Sequence, residues 1–343
     1  MVDHFGKFAL LVVLALAVNI AQADSYPPGD NAPILIGEKD GSARIYYVCV
    51  DYRNDDGVMQ CGKSTVELGA DCYYQEISKD GTLYSKRFLI PCKSGTSFDD
   101  LELDAINPIY EKYESELVDT HTTPDEDGSI VAVSVNSWVP TIRKFENDSR
   151  STLSIKWNDW LLAPSGDQFI DANSSWLVLT GRACRGDSNT PYEPPRFVYT
   201  DLPCIPPSSR NGKFSLAFID RSTNVAQIEP VDEPRGNMSG DIASGPVIVG
   251  NAVFVGWAKA VSEGSALAIS SWTLPNKKRC DWAIDQPGAI DPPTNIGFLL
   301  LGDKLLAAYS RDGIITLLKI DPVEWTKSCG REGVTVTTIP RIR

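Results

Sequence analysis

The sequence predicts an all-β fold, a propeller-like array of five to seven small antiparallel sheets, and three observations carry that prediction. Gly297 to Leu301, Lys304 to Tyr309 and Ile314 to Ile320 are strand-length apolar runs separated by Gly302-Asp303 and by Asp312-Gly313. Those dipeptides supply the positive φ that tight hairpin turns need. Runs of this kind recur along the chain, with central strands near residues 45, 87, 130, 176, 214, 252 and 304, at spacings of about 40 to 50 residues. Helix signals are almost absent. A period of this length in an all-β chain suits four-stranded blades, none of which can bury both faces alone. The competing architecture is a pair of β-sandwich domains divided in the polar stretch 94–127.

In order, the chain opens with a segment that does not belong to the fold. Lys7 precedes an apolar run from Phe8 to Val18, and Ala21-Gln22-Ala23 has the small-x-small form of a signal peptidase site. Residues 1–23 are therefore expected to be a signal peptide and 24–343 a single propeller-like domain. The run is too short to span a bilayer, and no membrane span is expected later. Ile34 to Ile36 and Ala43 to Tyr52 flank the turn Glu38-Lys39-Asp40-Gly41, and Cys72 to Ile77 and Thr82 to Ile90 flank Ser78-Lys79-Asp80-Gly81.

Residues 94–127 interrupt this pattern as an acidic, partly helical insertion. Asn107-Pro108 forms the cap and first position of a helix reaching about Leu117, and His121 to Asp127 reads as loop. Strands are expected again at Ser129 to Val135, Trp138 to Phe145, Leu153 to Trp157, Phe169 to Asp171, Trp176 to Thr180, Phe197 to Thr200, Phe214 to Ile219 and Val225 to Ile228. Pro246 to Val249, Ala252 to Trp257 and Ala266 to Trp272 repeat the three-strand unit of 297–320, and Val334 to Ile339 closes the chain.

Composition restricts function. The net charge of -13 and pI near 4.7 argue against nucleic acid and anionic membranes as partners, since both bind clustered Lys and Arg. The eight cysteines, Cys49, Cys61, Cys72, Cys92, Cys184, Cys204, Cys280 and Cys329, suit four disulfides in an oxidising compartment. Their clustering pairs the first four among themselves, Cys184 with Cys204 and Cys280 with Cys329. No Cys-x-x-Cys occurs and His121 is the one histidine after the leader, so no metal centre is expected. Asn147, Asn173 and Asn237 open glycosylation sequons. The acidic groups Asp51 to Asp56 and Asp125 to Asp127 lack the calcium-loop pattern and read as solvated turns. No phosphate-cradling or dinucleotide motif is present, so no cofactor is implied.

Two sets of residues carry chemistry. Arg185-Gly186-Asp187, directly after Cys184, resembles the cell-attachment motif that integrin-type receptors read. That resemblance implies an Arg entering an acidic pocket and an Asp completing a metal site on the receptor. Asp159, Asp171 and Asp220 are candidate carboxylates for glycosidic chemistry, which needs a proton donor on one side of the bond and negative charge on the other. Trp157-Asn158-Asp159 is similar to the start of the nucleophile motif of invertase-like glycosidases. Ser310-Arg311-Asp312-Gly313 and Ser78-Lys79-Asp80-Gly81 resemble sialidase Asp-boxes, which in that family are structural turns. Trp138, Trp157 and Trp160 are the candidates for an exposed aromatic surface, whereas Trp176, Trp257 and Trp272 fall in core-like runs. The expected function is that of a secreted extracellular binding protein presenting a rigid, disulfide-bonded β scaffold to a matrix, receptor or glycan partner. The alternative is a propeller-fold glycan-processing hydrolase.

Overall fold

The computed structural model describes residues 33–38, 40–50, 60–63, 70–91, 108–117, 120–134, 140–158, 160–162, 169–185, 213–231, 241–242, 244–261, 264–283, 296–311, 314–330 and 332–340. These form five small antiparallel sheets and two short helices in a propeller-like arrangement. Sheet I contains β1 (Ile34–Gly37), β2 (Ala43–Val50), β3 (Gln60–Lys63), β4 (Asp71–Ile77) and β5 (Leu83–Ile90), ordered β1-β2-β4-β5 with β3 beside β2. Helix α1 (Pro108–Leu117) precedes sheet II, whose strands β6 (Thr120–Pro124), β7 (Ile130–Ser134), β8 (Ile142–Phe145) and β9 (Arg150–Leu153) pair in chain order.

Sheet III contains β10 (Trp160–Leu162), β11 (Ile170–Ala172), β12 (Trp176–Arg185), β13 (Lys213–Asp220) and β14 (Val225–Pro230). Its order is β10-β12-β13-β14, with β11 also on β12. Sheet IV contains β15 (Asp241–Ile242), β16 (Val247–Val249), β17 (Ala252–Val261), β18 (Gly264–Thr273) and β19 (Lys278–Ala283), with β15 and β16 both paired to β17. Sheet V contains β20 (Gly297–Leu301), β21 (Lys304–Arg311), β22 (Ile314–Ile320) and β23 (Val334–Ile339), with helix α2 (Pro322–Ser328) between its last two strands. Each sheet is thus a meander.

The meanders bury their faces against one another. Val253, Val255 and Trp257 of β17 pack on Phe169, Val178 and Phe218 of sheet III. The alternate residues Ala252 and Phe254 pack on Phe298, Leu305 and Leu318 of sheet V. A strand buried on both faces needs no polar face, which is why 252–257 and 297–309 read as nearly continuous apolar runs. Sheet II packs on sheet III through Val131, Val133, Ile142, Leu177 and Leu179. Sheet V packs on sheet I through Leu299, Leu306, Ile315, Ile45 and Tyr47. Gly297 permits that last approach, because a Cβ there would lie 2.9 Å from the Pro33 carbonyl oxygen. The outward face of sheet II is covered by α1 through Ile109, Tyr113 and Leu117.

Three turns share one chemistry. At 38–42, 78–82 and 125–129 the first residue's N–H donates to the fifth residue's carbonyl, and the glycine N–H donates to the first carbonyl. Gly41, Gly81 and Gly128 take φ of 85°, 79° and 81°, a region that a side chain with Cβ resists. Asp40, Asp80 and Asp127 accept from the following Ser or Thr hydroxyl.

The structure departs from the expected elements in four places, the first being Leu153 to Trp157, expected as a strand, where β9 instead spans Arg150–Leu153 and residues 154–157 follow it. Thr120–Pro124 is the first strand of sheet II rather than loop, so the insertion 94–127 is shorter than expected at its C-terminal side. A second helix follows Asp321, whose carboxylate caps it by accepting from the N–H groups of Val323 and Glu324. Trp157, expected to be exposed, is 9 % exposed and lies in the core between sheets II and III. Trp257 and Trp272 are core residues, and Trp176 packs against the same cluster.

Candidate functional site

Strands at one edge of the sheets meet one another: β1 contacts β20, and β11 contacts both β6 and β16. Asp171 stands at the second of these meetings, in the middle of β11, with only 5 % of its surface exposed. Its Oδ1 accepts from Thr123 Oγ1 of β6 at 3.0 Å and from its neighbour's N–H, Ala172 N, at 2.8 Å. Its Oδ2 accepts from Ile248 N of β16 at 2.7 Å. One carboxylate therefore ties sheets II, III and IV together. Desolvation pushes its pKa up to about 6, against the opposing pull of the three hydrogen bonds.

A second polar cluster lies at the turns beside it. Arg221, in the β13–β14 turn, donates from Nη1 and Nη2 to the two oxygens of Asp125, each at 2.8 Å, and from Nη1 to the Asn173 carbonyl at 2.6 Å. The Asp125 side chain is 3 % exposed and the Arg221 side chain 20 %. Lys144 of β8 approaches Asp125 Oδ2 at 3.6 Å and donates to Asp127. That hydrogen bond, with help from Ser129, holds the Asp127 carboxyl well below the usual carboxylate range. Asp125, expected in a solvated turn, is instead the buried partner of a bidentate ion pair joining sheets II and III.

The three candidate carboxylates have different fates. Asp171 is buried and committed to inter-sheet bonds. Asp220 ends β13 and accepts from the Ser222 hydroxyl and N–H, which lowers its pKa, so it serves its own turn. Asp159 lies outside the described residues. Among the described residues no hydrogen bond or ion pair joins Asp171 to Asp220. Sequence reasoning does not single out Arg221, and it reads Asp125 only as part of a solvated acidic turn, so their ion pair beside Asp171 is unanticipated. The available signal was Asp-Glu-Asp-Gly-Ser at 125–129, which repeats the turn of 38–42 but starts with an acid that its hairpin places beside the next sheet.

Of the attachment-like tripeptide, Arg185 ends β12, its backbone opposite Trp160, while Gly186 and Asp187 lie outside the described residues. Cys49 is bonded to Cys61 within sheet I, and Cys280 of β19 to Cys329 at the end of α2. Cys72 is also disulfide-bonded, and no described cysteine is free. Cys92 and Cys204 lie outside the described residues, as do Asn237, Trp138 and Asp51 to Asp56. Asn147 is exposed at the β8–β9 turn. Asn173 is half-buried, and its Oδ1 accepts from the N–H groups of Ser175 and Trp176. Among the described residues there is no group of His, Cys, Asp and Glu that could hold a metal ion, and no helix long and apolar enough to cross a membrane.

No protein-family model matches the chain, and no curated protein matches it by sequence. Solved structures resemble it distantly. An apocarotenoid oxygenase of Synechocystis is similar over 90 % of this chain and 61 % of its own, at 10 % identity and a TM-score of 0.33. An acylaminoacyl peptidase of Pyrococcus horikoshii is similar over 90 % and 45 %, at 12 % identity and 0.31. A puromycin-hydrolyzing peptidase of Mycobacterium tuberculosis is similar over 95 % and 55 %, at 9 % identity and 0.28. The chain thus spans between 45 % and 61 % of the length of these three proteins.

Proposed function

We propose that the chain is a secreted, glycosylated extracellular binding protein whose disulfide-bonded β scaffold holds a recognition segment for a matrix component, receptor or glycan. The observation that carries this reading is the disulfides: Cys49–Cys61 within sheet I and Cys280–Cys329 between β19 and the end of α2 are bridged, Cys72 is bonded as well, and no described cysteine is free. Persistent disulfides belong to oxidising compartments. The leader-like residues 1–23 and the acidic composition support the same reading. The polar groups of the described junctions face inward and fasten sheets, so recognition falls to what departs from the repeat, above all Arg185-Gly186-Asp187.

The test uses the full chain expressed through a secretory pathway. The purified protein is expected to begin at Asp24 and to carry a glycan at Asn147. Coated on a surface, it is expected to support divalent-cation-dependent adhesion of integrin-bearing cells, and Asp187→Glu is expected to abolish that adhesion. Equal adhesion to the variant overturns the attachment reading, and retention of residues 1–23 in the medium-free cell fraction overturns secretion.

A further inference from the structure

The last strand of every sheet is an edge, and four of the five carry the features that deter pairing with another chain. Lys86 and Arg87 lie in β5, Arg150 in β9, Glu229 and Pro230 in β14, and Lys278, Arg279 and Asp281 in β19. One of these edges is also occupied: Lys156 forms a parallel bridge to Val225 at the start of β14. A disulfide from Cys280 anchors β19 to Cys329. The exception is β23, Val334-Thr335-Val336-Thr337-Thr338-Ile339, which has neither charge nor proline over its six residues.

All six residues of β23 pair with β22 along one edge, in unbroken register from Ile315↔Ile339 to Ile320↔Val334. Among the described residues no strand pairs with the other edge. Its backbone donors and acceptors form a regular row, and Val336 exposes 54 % of its surface. β-Branched residues fill all six positions, so the strand has the composition that strand pairing favours.

We propose that this edge is an interface with a second copy of the chain, in which two β23 strands pair antiparallel about a two-fold axis and join two four-stranded sheets into one of eight strands. The strand is its own complement. An axis through Val336 sets Val336 against Val336, Thr335 against Thr337 and Val334 against Thr338, so no like charges oppose and threonines meet across the seam. The same exercise on β5 or β9 would bring lysine or arginine side chains into the seam. The net charge of -13 works the other way at long range, which makes the dimer salt-dependent. A seam this narrow implies a weak dimer, with dissociation in the micromolar range.

The experiment is sedimentation equilibrium on the full secreted chain, from about 1 to 200 µM in low and moderate salt. The expected result is a monomer–dimer equilibrium that strengthens as salt screens the net charge. Val336→Lys places two ammonium groups face to face and is expected to weaken the dimer by roughly tenfold or more. Thr338→Lys serves as a second disrupting variant, and Ser151→Lys on the β9 edge as one that leaves association unchanged. Unaltered melting temperatures certify that the variants fold. A chain that stays monomeric to the top of the range overturns the proposal. So does a dimer that survives both β23 substitutions, or one that Ser151→Lys disrupts equally.

Discussion

The junction of sheets V and I and the junction of sheets II and III hold the same kind of meander together by different means. Between V and I the contact is apolar: Leu299, Leu306, Ile315 and Leu317 meet Ile45, Tyr47 and Ile77, each at most 1 % exposed. Polar links are few and peripheral, such as Ser310 Oγ donating to the Cys61 carbonyl and Lys319 Nζ to that of Asp80. Between II and III an apolar layer is also present, but the ends of the strands are fastened by Asp125 with Arg221 and by Asp171 with Thr123. The first junction is adaptable, since volume can be redistributed. The second is all-or-none, because a buried charge that loses its partner cannot be left where it is.

That contrast is sharpest in Arg221→Ala. Removing Arg221 takes away the bidentate partner and leaves the Asp125 carboxylate, 3 % exposed, with only the longer approach of Lys144 at 3.6 Å, and the expected loss is about 3–5 kcal/mol at most. Leu306→Ala at the apolar junction is expected to cost a comparable ~2–5 kcal/mol through lost burial and a cavity. The two are separated by compensation. The double change Asp125→Leu with Arg221→Met should recover most of the loss, because apolar replacements of a buried pair are often neutral or stabilising. Chemical denaturation of the single and double variants measures this. A double variant no better than Arg221→Ala would mean that the II–III junction depends on the geometry of the ion pair, not merely on neutralising its charge.

The apolar junction was legible in the sequence and the polar one was not, for a physical reason. Runs such as 252–257 and 297–309 announce burial on both faces, and the Asp-Gly turns announce where each run reverses. The helix at Pro108–Leu117 was legible from its cap and first-position proline. Strand Thr120–Pro124 was not, since Thr-His-Thr-Thr-Pro has no apolar alternation; its place in sheet II comes from pairing with the strongly apolar Ile130–Ser134. Asp125 and Arg221 are 96 residues apart. Their pairing depends on how two sheets face each other, which no local pattern encodes. Of the candidate carboxylates, only the burial of Asp171 within Phe-Ile-Asp had a local signal, and that signal did not say what the carboxylate would bind.

The next effect separates the two junctions by pH. Asp171 has its pKa raised from 3.8 to about 6 by burial. The folded state therefore binds a proton more readily than the unfolded chain. Ionisation is penalised fully above pH 6, and the penalty is relieved as pH falls from about 6 towards 4. The shift corresponds to roughly 3 kcal/mol at most. Stability should accordingly gain a component that rises with acidification across that window, and Asp171→Asn should remove it. The readout is the slope of unfolding free energy between pH 4 and 6, which stays informative even though the amide has a single acceptor oxygen and cannot accept from both Ile248 N and Thr123 Oγ1 as the carboxylate does. An identical slope in the variant would show that the carboxylate is hydrated in solution.

The smallest effect has the opposite sign and belongs to the rim of the same junction. Asp127 is half exposed, and its carboxyl is held below the ordinary range by the hydrogen bond from Lys144. A depressed pKa contributes stability that is present above the unfolded value near 4 and is lost as pH falls below it. Exposure and salt reduce that contribution to less than about 1 kcal/mol. Asp127→Ala should therefore lower stability slightly at pH 7, less in high salt, and progressively less as pH falls below the ordinary carboxylate range. Because Asp171 acts between pH 4 and 6 and Asp127 below that range, a titration of both variants resolves the buried clamp from the solvated rim. If Asp127→Ala instead cost as much as Arg221→Ala, the Lys144–Asp127 contact would belong with the buried cluster around Asp125, which Lys144 already approaches at 3.6 Å, and the division between core and rim at the II–III junction would move outward by one ion pair.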